Sequence, residues 1–469
     1  MNKFFKISER GSNVRTEIIA GLTTFFAMAY ILVVNPNQIT GMPDFKDVAG
    51  IGTVWNAVYI ATIIASVIGT LLYALYAKLP FAQSCGMGLN SFFFTSFVLP
   101  EALNPEGNVV GGYQAGLVII LASGLVFMLL SVTGARSYIA KAMPECIKKA
   151  IPAGIGLFIA FIGFQNVGIV QDNPYTLVQF VKLQGVAWVD VAPAVIALGG
   201  FLIIAILSKL KVKGSVLIGI LATSVIYYLS MWTLPSFETT SVVQPFKDFA
   251  NIGITALFKA ESWTNAFSGA AIGGIFSAIM LIVTFCLVDM FDTIGTLYGT
   301  AAEADMLDEN GDPIDVEKAM MCDSVATVAG AVCGTSTVTT FVESASGVAA
   351  GGRTGLTSLV TALCFAACLF LSPIASIIPG AATAPALIFV GVLMLKNFSK
   401  VDMEDVRSAV PAFLTLIMMP LTYSIANGIG IGAIAYVLIS LFTGKFKKKD
   451  ITVTIVALLF VFKFVFGTM

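Results

Sequence analysis

Residues 337–352 read TVTTFVESASGVAAGG. Strand-type residues, TVTTFV, run into a small-residue stretch headed by Glu343, the one charge in the segment. A second stretch has the same build: PFAQSC followed by GMGLNSFFF, residues 80–94. Each is apolar enough for a bilayer, yet neither has the composition of one continuous spanning helix. Non-helical backbone at membrane depth is tolerated only where protein or a watery cavity covers it. A half-helix that begins there presents unpaired N–H groups and a positive dipole end. Two such starts facing each other make a site for an electron-rich or anionic group. The plainer alternative is that the glycines only let helices pack closely, as small-xxx-small patterns do.

The rest of the chain places these breaks in a membrane. Of 469 residues, 57% are hydrophobic and 11% charged, against about 25% charged in a soluble domain. This excludes a soluble globular fold. A net charge of −1 argues against nucleic acid as a partner. The seven cysteines form no CxxC pair and read as reduced, buried small hydrophobes. There is no histidine, so proton chemistry near neutral pH has to run on carboxylates. No residue pattern calls for a cofactor or a metal. The N-terminal MNKFFKISERGSNVRTE is basic and amphipathic and lacks the short apolar core and cleavage site of a removed signal peptide.

A helix needs roughly 20 apolar residues to cross the hydrocarbon layer. Eleven stretches qualify, and three weaker ones, 80–99, 320–332 and 338–350, are interrupted by Gly, Ser, Thr or Pro, giving 14 segments. Alternation from a cytoplasmic N-terminus puts 21 of the 26 Lys and Arg inside and only Lys46, Lys182, Lys247 and Lys259 outside, with Lys463 unassigned. That is the bias of the positive-inside rule. The acidic loop 303–318 also falls inside, which the rule permits because it weighs basic residues. The apolar stretch 451–466 follows a lysine cluster and reads either as an extra span or as an interfacial helix.

The two breaks are third in each set of seven. AIPAGIGLFIA (150–160) and ATAPALIFVGV (382–392) are both fifth. An odd number of spans per repeat inverts the second copy. Inverted repeats with broken helices at matching places are the signature of a secondary transporter whose site lies between the breaks.

An ionisable residue at mid-membrane costs on the order of 3 kcal/mol on insertion scales and is a functional-site hypothesis by default. LVDMFDTIGT (287–296) carries Asp289 and Asp292 at i and i+3. Glu343 heads the second half-helix, and Asn90 is its polar counterpart in the first. Asp323 stands early in the ninth segment, where it reads equally well as a near-interface charge. Asp292 reads as a coupling acid or as a partner for backbone N–H groups of the breaks. Two like charges in one cavity suit a site that takes up and releases a proton.

These residues resemble a known family, the nucleobase–cation symporter-2 proteins, in their guanine/hypoxanthine (azaguanine-type) permease branch. The stretches that carry the resemblance are RTEIIAGLTTFFAMAYILVVNP, GMGLNSFF, VDMFDTIGTLYG, GTSTVTTFVESASGVAAGGRTGLT and APALIFVGVLML, spread over nearly the whole chain. The resemblance implies an all-α polytopic membrane protein of the uracil-permease-like fold: about 14 segments as 7+7 inverted repeats, with short strands and half-helices in segments 3 and 10. It implies a cytoplasmic N-terminus (1–16), a core domain (17–135 and 264–372), a gate domain (136–263 and 373–444) and a C-terminal basic segment with an apolar tail (445–469). It implies a multi-pass protein of the cell membrane that imports purine nucleobases, guanine or hypoxanthine before adenine. The symported cation would be a proton or sodium, the core would move against the gate, and a homodimer is left open. By similarity Asn90, Asp289 and Glu343 contact the base, Gly88 lets the backbone approach it, and Asp292 matches the family's transport-essential acid, serving coupling or structure. Asp323 is a further coupling or structural acid. A flat base calls for a stacking aromatic, for which Phe92 and Phe93 are candidates, though a packing role suits either ring better. In one place the chain departs from the branch, which usually has Ala-Pro before GMGLN where this sequence has Ser84-Cys85.

Two rival readings are weighed. An anion transporter or channel of the same fold favours Arg or Lys at the site over three carboxylates. An intramembrane aspartyl protease needs acids on two facing helices with a GxGD pattern, which is missing. GGRTGLTS (351–358) resembles a phosphate loop only faintly, since the Lys-Ser/Thr pair is missing.

Overall fold

The computed structural model describes residues 2–42, 45–133, 143–212, 214–233, 242–268, 274–303, 306, 314–375 and 377–466. Most of the acidic loop 303–318, and Arg136, Lys141 and Lys213 of the basic inventory, lie outside the described residues. The chain is mostly helical. The first half contains α1 (Val14–Met28), α2 (Ile31–Thr40), α3 (Ile51–Leu72), strand β1 (Gln83–Cys85), α4 (Met87–Phe93) and α5 (Val109–Val132). It continues with α6 (Glu145–Asn166), a hairpin of β2 (Val170–Asn173) and β3 (Leu177–Phe180), α7 (Trp188–Lys209) and α8 (Ser215–Met231). The second half contains α9 (Ala260–Ser268), α10 (Ile275–Glu303), α11 (Val316–Cys333), strand β4 (Val338–Thr340), α12 (Ser344–Ala349) and α13 (Gly355–Ala367). It closes with α14 (Gly380–Leu395), α15 (Val406–Leu421), α16 (Ile425–Phe442) and α17 (Ile451–Phe466).

Among the described residues, eight helical segments are long and apolar enough to cross a membrane, and four shorter ones are apolar. The number falls below the 14 segments expected for physical reasons. The third and tenth segments are each split into a strand and a short helix, and α11 carries Glu317, Lys318 and Asp323. Helix starts follow ordinary capping chemistry. Asn13, Asn108, Thr354, Asp405 and Ser424 each accept a backbone N–H at the head of a helix. All seven cysteines are free and six are buried.

The helices pack as two groups. One gathers α1, α2, α3, α5, α10, α11, α12 and α13 around the two strands. The other gathers α6, α7, α8, α14, α15 and α16. In the second group α6 and α14 cross at Gly156 and Gly391, one from each of the paired motifs. A Cβ on Gly156 would stand 2.9 Å from the Gly391 carbonyl oxygen, and a Cβ on Gly391 would strike the Gly156 carbonyl in turn. Only glycine permits that approach. The helix Val243–Asp248 lies on α3, where Asn56 donates to Asp248 at 2.8 Å, and α9 lies on α5. Residues 243–262 therefore pack with the first group. The tail forms a helix, α17, on α16. Its start is fixed by Asp450, which accepts from Arg407 at 3.0 Å and Tyr436 at 3.2 Å.

Candidate functional site

The two breaks meet. β1 and β4 pair antiparallel, with Gln83 opposite Thr340, Ser84 opposite Thr339 and Cys85 opposite Val338. A two-stranded ribbon leaves backbone groups open on its outer edges, which is costly away from water. Side chains from neighbouring helices close them. Thr70 Oγ1 accepts from Gln83 N at 3.1 Å and Thr327 Oγ1 accepts from Val338 N at 3.2 Å. Asp323 Oδ2 accepts from Thr340 N at 3.1 Å. Ser344 Oγ accepts from Ala82 N at 3.0 Å. Each strand then hands over to a short helix, β1 through Gly86 to α4 and β4 through Phe341–Glu343 to α12.

A cavity of about 110 Å³ lies at this handover. Its floor is Gly86–Gly88 from the first break and Thr339–Glu343 from the second. Asp292 and Thr296 of α10 close one side. The opposite wall comes from the other helix group: Pro152 and Ile159 of α6, and Val390, Leu393 and Met394 of α14. The cavity therefore sits on the seam between the groups. Gly88 lies where α4 passes α6, and a Cβ there would run into Ile155. No Lys or Arg is among the lining residues.

Of the residues singled out from sequence, Gly88, Asp292 and Glu343 line this cavity, while Asn90, Asp289, Phe93 and Asp323 do not. The two aspartates of α10 are about 60° apart around a helix of 3.6 residues per turn. That angle sends them to different neighbours. Asp289 is fully buried against α11, where its Oδ2 accepts from Thr327 at 2.8 Å. Its Oδ1 has no hydrogen-bond partner among the described residues. Asp292, expected to serve coupling or structure, is the one of the two that lines the cavity. Asn90 is fully buried between Ser336, which donates to its Oδ1, and Gln38, to which its Nδ2 donates at 3.4 Å. Phe93 packs edge-on against Phe97 and Tyr113 at 5.0 and 6.2 Å, a core position.

Asp323 is fully buried and is a hub of hydrogen bonds. It accepts from Gln83 on β1, from Thr340 Oγ1 at 2.9 Å on β4, from Tyr73 at 3.0 Å and from Thr293 at 2.8 Å. One carboxylate thus ties both strands to α10 and to the end of α3.

Three features escaped sequence reading. The Tyr30 hydroxyl donates to Glu343 Oε1 at 2.5 Å from the α1–α2 junction, and Tyr30 is 1% exposed. Phe341, two residues before Glu343, is the one aromatic residue among those that line the cavity. Both stand inside motifs already singled out, AMAYILVVNP and TVTTFVES, but their partners are over 300 residues away or across the cavity. Glu17 is the third. It is fully buried, and its carboxylate accepts from Arg353 N at 3.0 Å, from Thr354 Oγ1 at 2.9 Å and from Thr357 Oγ1 at 2.6 Å. The N-terminus of α13, where a phosphate loop would offer its N–H groups to an anion, is filled by this acid.

Known proteins resemble the chain in sequence and in fold. The Xan_ur_permease model, described as a Permease family, matches residues 15–462. The guanine/hypoxanthine permease PbuG of Bacillus subtilis is 40% identical over 470 residues, covering 99% of this chain and 100% of that protein. The adenine permease AdeP of Escherichia coli is 37% identical, covering 99% of this chain and 96% of that one. Among solved structures, the transmembrane domain of the cyanobacterial bicarbonate transporter BicA superposes with a TM-score of 0.61 at 15% identity. The match covers 90% of this chain and 97% of that one. At that identity the likeness is one of fold alone.

Proposed function

The chain belongs to this Permease family, and within it to the nucleobase–cation symporter-2 purine permeases its motifs resemble, and from that membership we propose that it imports purine nucleobases, guanine or hypoxanthine before adenine, together with a cation. It is a membrane transporter and not an enzyme. The observation that carries the proposal is the cavity on the seam, lined by two carboxylates, Asp292 and Glu343, from one helix group and by apolar side chains from the other. A purine presents ring N–H donors that carboxylates accept and an apolar face that needs a flat neighbour. Asp292 and Glu343 are the acceptors, Phe341 the stacking surface, and Gly88 gives the base room. The full-length relatives named as purine permeases supply the substrate class.

In this reading the first helix group, residues 17–135 and 243–372, is the core, and the second, 143–231 and 373–444, is the gate. The 14 segments form 7+7 inverted repeats with the N-terminus in the cytoplasm, and the core carries the base across the cell membrane by moving against the gate. A proton is the coupling ion, since the site offers carboxylates that can take one up. Asp289, buried with one oxygen unpaired, serves coupling rather than contact with the base. The anion-transporter reading is disfavoured by the acidic, lysine-free cavity. The protease reading fails because Asp289 and Asp292 share one helix.

Uptake by cells deprived of their own purine permeases tests this. Cells expressing the chain accumulate labelled hypoxanthine or guanine, and a protonophore collapses the uptake. Uptake equal to an empty-vector control for guanine, hypoxanthine and adenine sinks the proposal. Uptake that survives the protonophore but needs sodium reassigns the cation. A smaller effect is expected from Tyr30→Phe. It removes the hydroxyl that aims Glu343, a hydrogen bond to a charged group worth about 1.5 kcal/mol or a little more, so base affinity falls roughly tenfold while expression is unchanged. Wild-type affinity in that variant, measured by competition binding on membranes, removes Tyr30 from the site.

A further inference from the structure

A second cleft, of about 540 Å³, opens between α1 and α8. On one side stand Ile19, Leu22, Thr23 and Phe26, and on the other Gly214, Leu217, Ile218 and Leu221. Each set has the spacing i, i+3, i+4, i+7, one face of a helix. Two such stripes ordinarily interlock. Here the helices touch where Gly214 meets Phe26, a Cβ on Gly214 standing 3.2 Å from the Phe26 carbonyl oxygen. Along the stripes Leu22, Phe26 and Leu221 remain 38%, 49% and 49% exposed. The one side-chain hydroxyl, on Thr23, donates to its own helix at Ile19 O, 2.8 Å away. The cleft thus offers an apolar trough on the flank of a membrane-spanning helix, where the surrounding medium is lipid. At its Gly214 end the chain arrives through the exposed Lys209 and Lys211.

We propose that this cleft is a binding site for an acyl chain of an anionic phospholipid, whose phosphate is met by Lys209 and Lys211. α1 packs on α12 and α13 of the first helix group, and α8 packs on α7 and α14 of the second. The chain therefore fills the seam between the groups, on α1, which packs against the α12 half-helix that Glu343 heads. Such a lipid differs from the surrounding annular lipid in two ways: a trough rather than a flat face holds it, and charge selects it.

Photolabelling separates these. The full chain is reconstituted in nanodiscs with phosphatidylglycerol or phosphatidylcholine carrying a photoactivatable acyl chain, and labelled peptides are mapped. Labelling from phosphatidylglycerol concentrates on 19–26 and 214–221, above that at Leu229, which is 69% exposed on the same α8. The preference for phosphatidylglycerol drops about fivefold for each of Lys209→Gln and Lys211→Gln, exposed changes that leave the fold intact. Filling the trough with Leu22→Trp and Leu221→Trp lowers labelling there to the Leu229 level. Labelling no higher than at Leu229, or equal from the two lipids, overturns the proposal.

Discussion

Glu343→Gln abolishes measurable purine binding while leaving the protein folded in the membrane. The carboxylate stands at the junction of β4 and α12, lines the cavity, and is oriented by the Tyr30 hydroxyl at 2.5 Å. Against a ring N–H it is a charge-assisted acceptor, worth about 1.5–3 kcal/mol. Glutamine keeps the shape, but Tyr30 holds one end of the side chain. If the carbonyl oxygen stays with Tyr30, the amide NH₂ faces the donor of the base, and two donors meet. The loss is then the bond plus the desolvated mismatch, together roughly 100-fold or more in affinity. Asp292→Asn acts in the same direction, because that side chain faces the same cavity. Asp289→Asn does not: it leaves base affinity within about threefold of wild type, a contact-free change by the size of a lost neutral bond, while transport fails. Equilibrium binding of labelled hypoxanthine to membranes, beside uptake, distinguishes the three. Equal binding in Glu343→Gln and wild type removes Glu343 from the site. Loss of binding in Asp289→Asn with retention in Asp292→Asn restores the assignment read from sequence.

The contrast between these acids marks how far a sequence carries. The breaks are legible because each mixes strand-type residues with glycine in an apolar run, a pattern no continuous helix has. Their matching places suggest that they face each other. The register of β1 on β4 is not legible, because three-residue strands carry no alternation long enough to fix it and the pairing spans more than 250 residues. The spacing of Asp289 and Asp292 fixes the angle between them but not which one faces the cavity. That depends on where α11 lies, and Thr327, which takes Asp289, has nothing in its own sequence context to announce it. Phe93 drew attention as an aromatic beside GMGLN, yet helical geometry turns it to Phe97 and Tyr113, and the ring in the cavity wall is Phe341. Glu17 has no signal of its own in the sequence, because its value lies in the helix end it caps 337 residues further on.

Asp323→Ala is expected to cost the protein its fold rather than its substrate. In the sequence Asp323 reads equally well as a coupling or structural acid and as a near-interface charge, since it stands early in an apolar stretch that begins at about residue 320. The helix in fact begins at Val316, so Asp323 lies two turns in and is fully buried. Its carboxylate is the common acceptor for Gln83 on one strand, Thr340 on the other, and Tyr73 and Thr293 on flanking helices. Removing it takes the acceptor from the Thr340 N–H and the Gln83 amide, while Tyr73 keeps Thr340 Oγ1 and Thr293 keeps Thr339; each buried donor left unpaired costs about 1–3 kcal/mol. They are coupled through one group, so the costs do not simply add. A loss of about 4 kcal/mol is a reasonable total, at the upper end of what single changes do. Asp323→Asn keeps one acceptor and is milder, but it turns an NH₂ towards either Thr340 N–H or Gln83, so it also loosens the ribbon. Since the ribbon carries both halves of the cavity floor, a bound base should hold it together by mass action. The measurement is thermal aggregation of detergent-purified protein with and without hypoxanthine. A large drop in midpoint for Asp323→Ala, and a smaller one for Asp323→Asn that saturating base partly restores, is the expected result. An unshifted midpoint with lost transport would make Asp323 a coupling acid instead, because a group that holds two strands, a tyrosine and a threonine together cannot be removed without cost.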